Sequence, residues 1–193
     1  MNRQLYLECY SGISGDMTVA ALLDLGADEQ ILRKALASLP VGGFEIAVTR
    51  KVKSGLDVCD FDVILDAEHE NHDHDMEYLY GHDDSHCHGE EHDHCHCDEE
   101  EHAHGHDHGH SHRGLAEIRE IIAACDMTET AKDIAYDIFD VIAAAESAAH
   151  NLPPEEVHFH EVGALDSIVD VISAAVTFDS LGIRDVIIPK LYE

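Results

Sequence analysis

The sequence predicts an α+β fold, in which a small mixed sheet packs with several helices and a disordered histidine-rich insertion interrupts the chain. Two periodicities predict the folded body. Apolar and polar residues alternate along two early segments, as in strands, and apolar residues recur every three or four positions in later segments, as in helices. The third observation is the segment 69–112, which has no periodic apolar face and contains 15 of the 18 histidines.

The first half of the body is predicted to contain a strand, a glycine-rich turn and two helices. These cover residues 5–10, 11–15, 16–25 and 28–39. Gly26 is placed to end the first helix and Pro40 to end the second. The runs 44–49 and 59–65 then alternate in polarity on either side of a Ser54-Gly55 turn, which predicts two antiparallel neighbours.

The second half is predicted to be mainly helical. It contains helices over about 115–122, 134–149 and 166–181, and a final strand over 185–188. Thr130 and Asp133 are a candidate capping box for the long helix, which the Pro153-Pro154 pair ends. Nothing in the sequence covers the outer side of the final strand, so the chain resembles the front part of something longer.

The predicted domains are 1–68, an N-terminal α/β part of the body; 69–112, the metal-binding insertion; and 113–193, the helical part of the same body with a final strand. The third part is expected to be truncated at its C-terminal end.

The charge balance restricts the classes of partner. Lys and Arg total 11 against 41 Asp and Glu, a formal net charge of -30. Proteins bind nucleic acid and anionic membranes largely through Lys and Arg, so neither is an expected partner. The sequence has neither a membrane-length apolar run nor a secretory signal, which predicts a cytoplasmic protein. In that compartment its six cysteines are metal ligands or free thiols rather than a disulfide framework.

The insertion repeats a His-x-His unit, interleaved with carboxylates and three cysteines, and it lacks Lys and Arg. Imidazole is a ligand for Zn, Cu, Fe and Ni, so this composition predicts a reservoir for several divalent ions. The candidate ligands are His72, His74, His86, Cys87, His88, His92, His94, Cys95, His96, Cys97, His102, His104, His106, His108, His110 and His112. The preferred metal stays open, and a solvated acidic loop without function is the alternative.

The first compact motif is Ser11–Asp16, between a predicted strand and a predicted helix. Free backbone N–H groups at a helix start bind anions such as phosphate, so Ser11, Gly12, Ser14, Gly15 and Asp16 are candidate substrate-binding residues. The motif is neither a P-loop, which needs Gly-Lys-Ser/Thr, nor a nucleophile elbow. The alternative is that Ser14 or Asp16 merely caps the helix.

The second compact motif is His158–Asp170. In an extended segment His158 and His160 point to the same side, and Asp166 and Asp170 share one face of the next helix. With Glu161, these side chains can converge on one divalent ion or its substrate. The alternative is that Asp166 caps the helix, Asp170 is solvated and the histidines mark a helix entry.

These motifs resemble the two signatures of the LarC family of nickel insertion proteins. The first is Tyr10-Ser11-Gly12-Ile13-Ser14-Gly15-Asp16-Met17, and the second runs from Val157-His158-Phe159-His160-Glu161 to Asp166-Ser167-Ile168-Val169-Asp170. The insertion also lies where that family has one of variable length. The resemblance spans essentially the whole chain and implies its N-terminal part.

The resemblance implies a function. Members of the family insert nickel into pyridinium-3,5-bisthiocarboxylic acid mononucleotide and form the nickel-pincer cofactor of lactate racemase and related enzymes. The reaction, of the lyase or chelatase class, uses Ni²⁺ and CTP with Mg²⁺ or Mn²⁺, and the CTP site is expected in the missing C-terminal region. The spacing of the second motif makes four residues the expected catalytic residues of this reaction: His158, His160, Glu161 and Asp166.

The resemblance also suggests partners and leaves a second class of function. The expected partners are the mononucleotide, the C-terminal part of the same protein, the apoenzyme that receives the cofactor, and a second copy of the chain. The alternative is a non-catalytic storage protein or metallochaperone for nickel, zinc or copper, which would explain the insertion but not the two compact motifs.

Overall fold

The computed structural model describes residues 3–67, 113–157, 159 and 163–190. In chain order its elements are β1 (Arg3–Tyr6), α1 (Gly15–Asp24), α2 (Glu29–Ala37), β2 (Phe44–Lys53), β3 (Leu56–Leu65), α3 (Leu115–Ala124), α4 (Glu129–His150), a 3-10 turn (Pro154–Glu156), α5 (Leu165–Ser180) and β4 (Ile183–Ile187). The predicted α+β class is confirmed.

The described strands form two separate pairs, one parallel and one antiparallel. β2 and β3 pair antiparallel from Phe44↔Leu65 to Lys53↔Leu56, around the predicted turn at Ser54-Gly55. Both turn residues have positive φ, 53° at Ser54 and 83° at Gly55, as a two-residue hairpin loop requires. β1 pairs in parallel with β4, so strands from the two ends of the described chain lie side by side.

Helix α5 lies at the centre of the main hydrophobic core. Its buried residues occur on nearly every side: Leu165, Ile168, Val169, Ile172, Ala174, Ala175 and Val176. A helix with apolar residues on most of its sides packs largely in the interior, and α1, α2 and α4 all pack against α5. The packing brings the start of α5 next to the start of α1, and therefore brings the two sequence motifs together.

The start of α4 differs from the predicted capping box. Thr128 is the N-cap, and its hydroxyl oxygen accepts the Ala131 N–H at 3.1 Å. Thr130 and Asp133 lie inside the helix, so neither occupies the position from which the predicted capping box would begin. The same Thr128 hydroxyl donates to Asp179 Oδ2 on α5 at 2.6 Å, so a tertiary contact selects this cap.

The three described cysteines, Cys9, Cys59 and Cys125, are free thiols. Cys125 Sγ lies 3.3 Å from the Ala35 carbonyl oxygen and is buried, and burial raises the pKa of its thiol. A neutral buried thiol is a packing group rather than a reactive one. Across the described ranges no helix is both long enough and apolar enough to cross a membrane.

Candidate metal-handling and substrate site

The two motifs are in contact where the start of α1 lies against α5. A Cβ atom placed on Gly15 would lie 2.8 Å from both Cβ and Cγ of Asp170. This separation is shorter than atomic packing allows, so only glycine permits the approach. The Asp170 carboxylate also accepts the backbone N–H of Asp16. A side chain of α5 therefore caps the first turn of α1.

The residues before α1 form a hydrogen-bonded turn. The Gly12 N–H donates to the Cys9 carbonyl at 3.3 Å, and Gly12 has a positive φ of 83°. Ser14 is the N-cap by its extended backbone, yet its side chain makes no capping hydrogen bond. Its hydroxyl donates instead to Asp16 Oδ1 at 2.5 Å. The capping alternative for Ser14 is thus not what the geometry shows, because Asp170 has that role.

Asp170 lies in a field of like charges. Burial raises the pKa of its carboxyl to about 6, with further contributions from Asp16, Asp166 and Asp62, and the Asp16 N–H opposes the rise. Asp170 Oδ1 is buried and has no hydrogen-bond partner among the described residues. Carboxylates that repel each other in this way are stabilised by a proton or by a bound cation.

The second motif is anchored to the core by alternate residues. Val157 and Phe159 are buried, and the Phe159 ring packs on Phe139 with centroids 6.3 Å apart. Asp166 lies in the first turn of α5, where its Oδ1 accepts the Ser167 N–H at 2.8 Å. The other three predicted catalytic residues, His158, His160 and Glu161, lie outside the described residues.

Arg113, which follows the insertion, contacts the second motif. Its carbonyl accepts the Phe159 N–H at 3.3 Å, and its Nη1 donates to the Gly163 carbonyl at 3.2 Å. A Cβ on Gly163 would lie 2.8 Å from the Phe159 carbonyl oxygen, so this turn is closed tightly. The chain that leaves the insertion is therefore fixed beside the second motif.

All the predicted ligands of the insertion lie in 69–112, outside the described residues. Within the described ranges, no group of three or more His, Cys, Asp or Glu side chains is arranged to hold a metal ion. Asp16, Asp166 and Asp170 are close enough to interact electrostatically, but a complete metal site would need further ligands.

Sequence reasoning did not find two features of this site. It grouped Asp170 with Asp166 through their four-residue spacing, but it did not place Asp170 against Gly15. Asp62, on β3, also raises the pKa of Asp170. In the sequence, Asp62 was recognisable only as a polar residue of an alternating strand. A separate open cavity of about 290 Å³ between α2 and β2 shares no residue with either motif.

Comparisons with known proteins agree with the motifs. Residues 5–192 match the family model described as nickel insertion protein. The chain is 48% identical over 193 residues to the pyridinium-3,5-bisthiocarboxylic acid mononucleotide nickel insertion protein of Alkaliphilus metalliredigens, covering 100% of this chain and 40% of that relative. It is 40% identical over 194 residues to the protein of the same name from Lactiplantibacillus plantarum, covering 97% of this chain and 40% of the relative.

A third relative of that name, from Acetivibrio thermocellus, is 37% identical over 182 residues, which cover 93% of this chain and 36% of the relative. No solved structure matches the chain. The chain spans about 40% of the length of these curated relatives. The family match covers nearly every residue, and the chain belongs to the nickel insertion protein family.

Proposed function

We propose that this chain is the N-terminal part of a nickel insertase that converts pyridinium-3,5-bisthiocarboxylic acid mononucleotide into the nickel-pincer nucleotide. The observation that carries the proposal is the contact of Gly15 and Asp16 with Asp170. This contact unites the two sequence motifs in one place. A cluster of mutually repelling carboxylates has no use in a purely structural protein. A protein that binds a divalent cation uses such carboxylates as ligands.

In this proposal nickel is a substrate, and His158, His160, Glu161 and Asp166 handle it. Val157 and Phe159, which belong to the same motif, are buried and anchor it to the core. Imidazole and carboxylate ligands bind nickel without the closed thiolate cage that would retain it. Such a site can release the ion to the two sulfur atoms of the nucleotide.

The proposed chemical step exchanges a proton for nickel at one ring carbon. The C–H bond breaks, the carbon–nickel bond forms, and the proton passes to the imidazole of His158 or His160. Imidazole is suited to this role because it titrates near neutral pH. The ring keeps its electron pair for the new bond, so no oxidant or reductant is needed.

The first motif is proposed to bind the phosphate of the mononucleotide through a divalent cation. Asp170 already occupies the anion-binding position at the start of α1, and Asp16 adds a second carboxylate. Direct phosphate binding there would be repulsive, but a cation between carboxylate and phosphate removes the repulsion. Ser11, Gly12, Ser14 and Gly15 would then shape the turn that presents Asp16.

CTP does not fit the described residues. Among the described residues, the candidate phosphate site is the strand–turn–helix of the first motif. The start of its helix lies against carboxylates rather than Lys or Arg, and carboxylates repel a triphosphate. We therefore propose that CTP with Mg²⁺ or Mn²⁺ binds the part of the full-length protein that this chain lacks.

The insertion, residues 69–112, is proposed to be a nickel reservoir for this site. Arg113, which follows the insertion in sequence, contacts the second motif through Phe159 and Gly163. The cytoplasm is the proposed compartment, and the apoenzyme that uses the cofactor is a proposed recipient. A storage protein or metallochaperone would also use the reservoir, but it would not need the acidic contact at Asp170.

The test combines the chain with the remainder of the protein, saturating nickel, CTP with Mg²⁺, and the mononucleotide. The product is detected by the mass of the nickel-containing nucleotide. His160→Ala is expected to abolish product while the insertion still binds nickel. The matched control is His150→Ala, which removes a histidine at the end of α4 and should keep normal turnover.

A second measurement uses the chain without 69–112, in which calorimetry should find about one nickel ion per chain. His160→Ala and Asp166→Ala should each lower that affinity, and His150→Ala should leave it unchanged. If His158→Ala and His160→Ala both retain full turnover, the histidines are structural. If the shortened chain binds no nickel, the metal-handling role of the second motif is wrong.

A further inference from the structure

The parallel pair β1–β4 leaves large apolar side chains in solvent. Tyr6 and Ile187 are register partners and therefore lie side by side on one face. They are 54% and 42% exposed, and Val186 and Ile188 are 46% and 48% exposed. Val186 is the register partner of Leu5 and belongs to the other face, so we name Tyr6 and Ile187 the β1–β4 surface. An exposed apolar patch of this kind is typical of an interaction site.

The pair is fixed to the body from its other face. Leu5 and Ile183 pack with Leu22 and Leu181 in a small second core. Tyr6, next to Leu5 along the strand, faces the opposite way. Parallel strands usually lie inside larger sheets with both faces covered. Within the described chain, β1 and β4 pair only with each other, so each strand keeps one unpaired edge.

We propose that the β1–β4 surface binds the part of the full-length protein that this chain lacks, through a strand that extends the pair and a segment that covers Tyr6 and Ile187. Two observations favour this occupant. The curated relatives are much longer, since the chain spans 40% of the Alkaliphilus metalliredigens protein. Covalent linkage also gives the remainder a high effective concentration at the surface, and strand addition satisfies the free edge.

A second copy of the chain fits the surface less well. Each copy has a formal net charge of -30, so two copies repel each other, most strongly at low ionic strength. The proposal depends on the family relationship and on the exposed surface, and it does not depend on the nickel chemistry. Its test therefore measures contact rather than activity.

The experiment compares hydrogen exchange in the free 193-residue chain and in a full-length chimera. In the chimera, this chain replaces the matching region of the Alkaliphilus metalliredigens relative. Backbone amides of β1 and β4 are expected to exchange at least about tenfold more slowly in the chimera. Ile187→Lys in the chimera should remove most of that gain, because a charge would lie in an apolar contact.

Val141→Lys is the matched control, because Val141 is 71% exposed on α4, outside the β1–β4 surface. It should leave the gain in protection intact. Ile187→Lys in the free chain should keep its circular dichroism and melting temperature, which separates loss of contact from loss of fold. Equal exchange in chimera and free chain would refute the proposal. Protection that rises with the concentration of the free chain would assign the surface to a second copy instead.

Discussion

Gly15, the first residue of α1, lies against the side chain of Asp170 on α5, so that a Cβ on Gly15 would be 2.8 Å from Asp170 Cγ. Gly15→Ala should therefore destabilise the fold by roughly 1–3 kcal/mol, the usual cost of overpacking. The Cβ of Asp170 is fixed to the helix and cannot move aside cheaply. Urea unfolding at neutral pH measures the change.

Gly42→Ala is the matched control for this effect. A Cβ on Gly42 would have no atom within 4 Å, so its change in unfolding free energy should stay within about 0.5 kcal/mol. If the two variants are equally stable, the contact between Gly15 and Asp170 does not exist in solution.

Asp170→Asn should stabilise the metal-free chain above pH 6. The folded state raises the pKa of Asp170 from 3.8 to about 6, so the folded state binds more protons than the unfolded one between those values. Its contribution to stability is therefore present below about pH 4 and lost as the pH rises through about 6. With solvent screening, we expect a difference of about 1–2 kcal/mol at pH 7.

The measurement is chemical unfolding of both proteins with chelator from pH 4 to pH 8. Their stabilities should converge near pH 4, because a protonated carboxyl and an amide have nearly the same shape and charge. A constant difference over the whole range would mean that burial and the acidic neighbours do not raise the pKa of Asp170 in the folded chain.

Patterns local in sequence predicted most of the fold. β2 and β3 alternate in polarity on either side of Ser54-Gly55. This two-residue period and the turn-forming residues between the strands were enough to predict their pairing. The cap of α4 was missed because Thr128 is selected partly by Asp179 on another helix. Hydrogen bonds between distant segments leave no periodic trace in a single sequence.

The same limit applies to the site. The spacing of Asp166 and Asp170 showed that both lie on one face of α5, but no local rule pairs Asp170 with Gly15. Even so, Gly15 in a helix start was a usable signal, since glycine there often marks a close approach. The family resemblance supplied the function, which the backbone geometry alone would not identify.

Asp16→Ala should weaken binding of the mononucleotide substrate only when a divalent cation is present. If a cation joins Asp16 to the phosphate, removing the carboxylate removes one ligand of that cation and should weaken binding by roughly tenfold. With chelator, the native chain should bind the substrate weakly, and the affinity of Asp16→Ala for the substrate should be no lower than that of the native chain. Calorimetry with Mg²⁺ or with chelator measures both cases.

Asp137→Ala, at an exposed aspartate on α4, is the control for the loss of one negative charge. It should bind substrate like the native chain under both conditions. If Asp16→Ala binds the substrate more tightly with chelator and Mg²⁺ alike, the carboxylate only repels phosphate, and the cation bridge is wrong.

Replacing residues 69–112 by a short Gly/Ser linker should leave the fold intact. The described core is built from both sides of this segment: Phe61 on β3 packs in the same cluster as Ile118 on α3. Residues on either side of the segment are also held by the body, since the Asp66 N–H donates to the Gly43 carbonyl and Arg113 contacts the second motif. We expect the unfolding free energy to change by less than about 1 kcal/mol, the small entropic effect of loop length.

The number of nickel ions per chain should fall from several to about one in the same variant, because 15 histidines and three cysteines are removed. Equilibrium dialysis with metal analysis measures the number, and circular dichroism follows the fold. A second variant, in which the histidines of 69–112 become asparagine, keeps the length and should show the same loss of nickel. Unfolding of the linker variant would show that 69–112 is an integral part of the body. Unchanged nickel binding in the asparagine variant would show that the reservoir lies elsewhere in the chain.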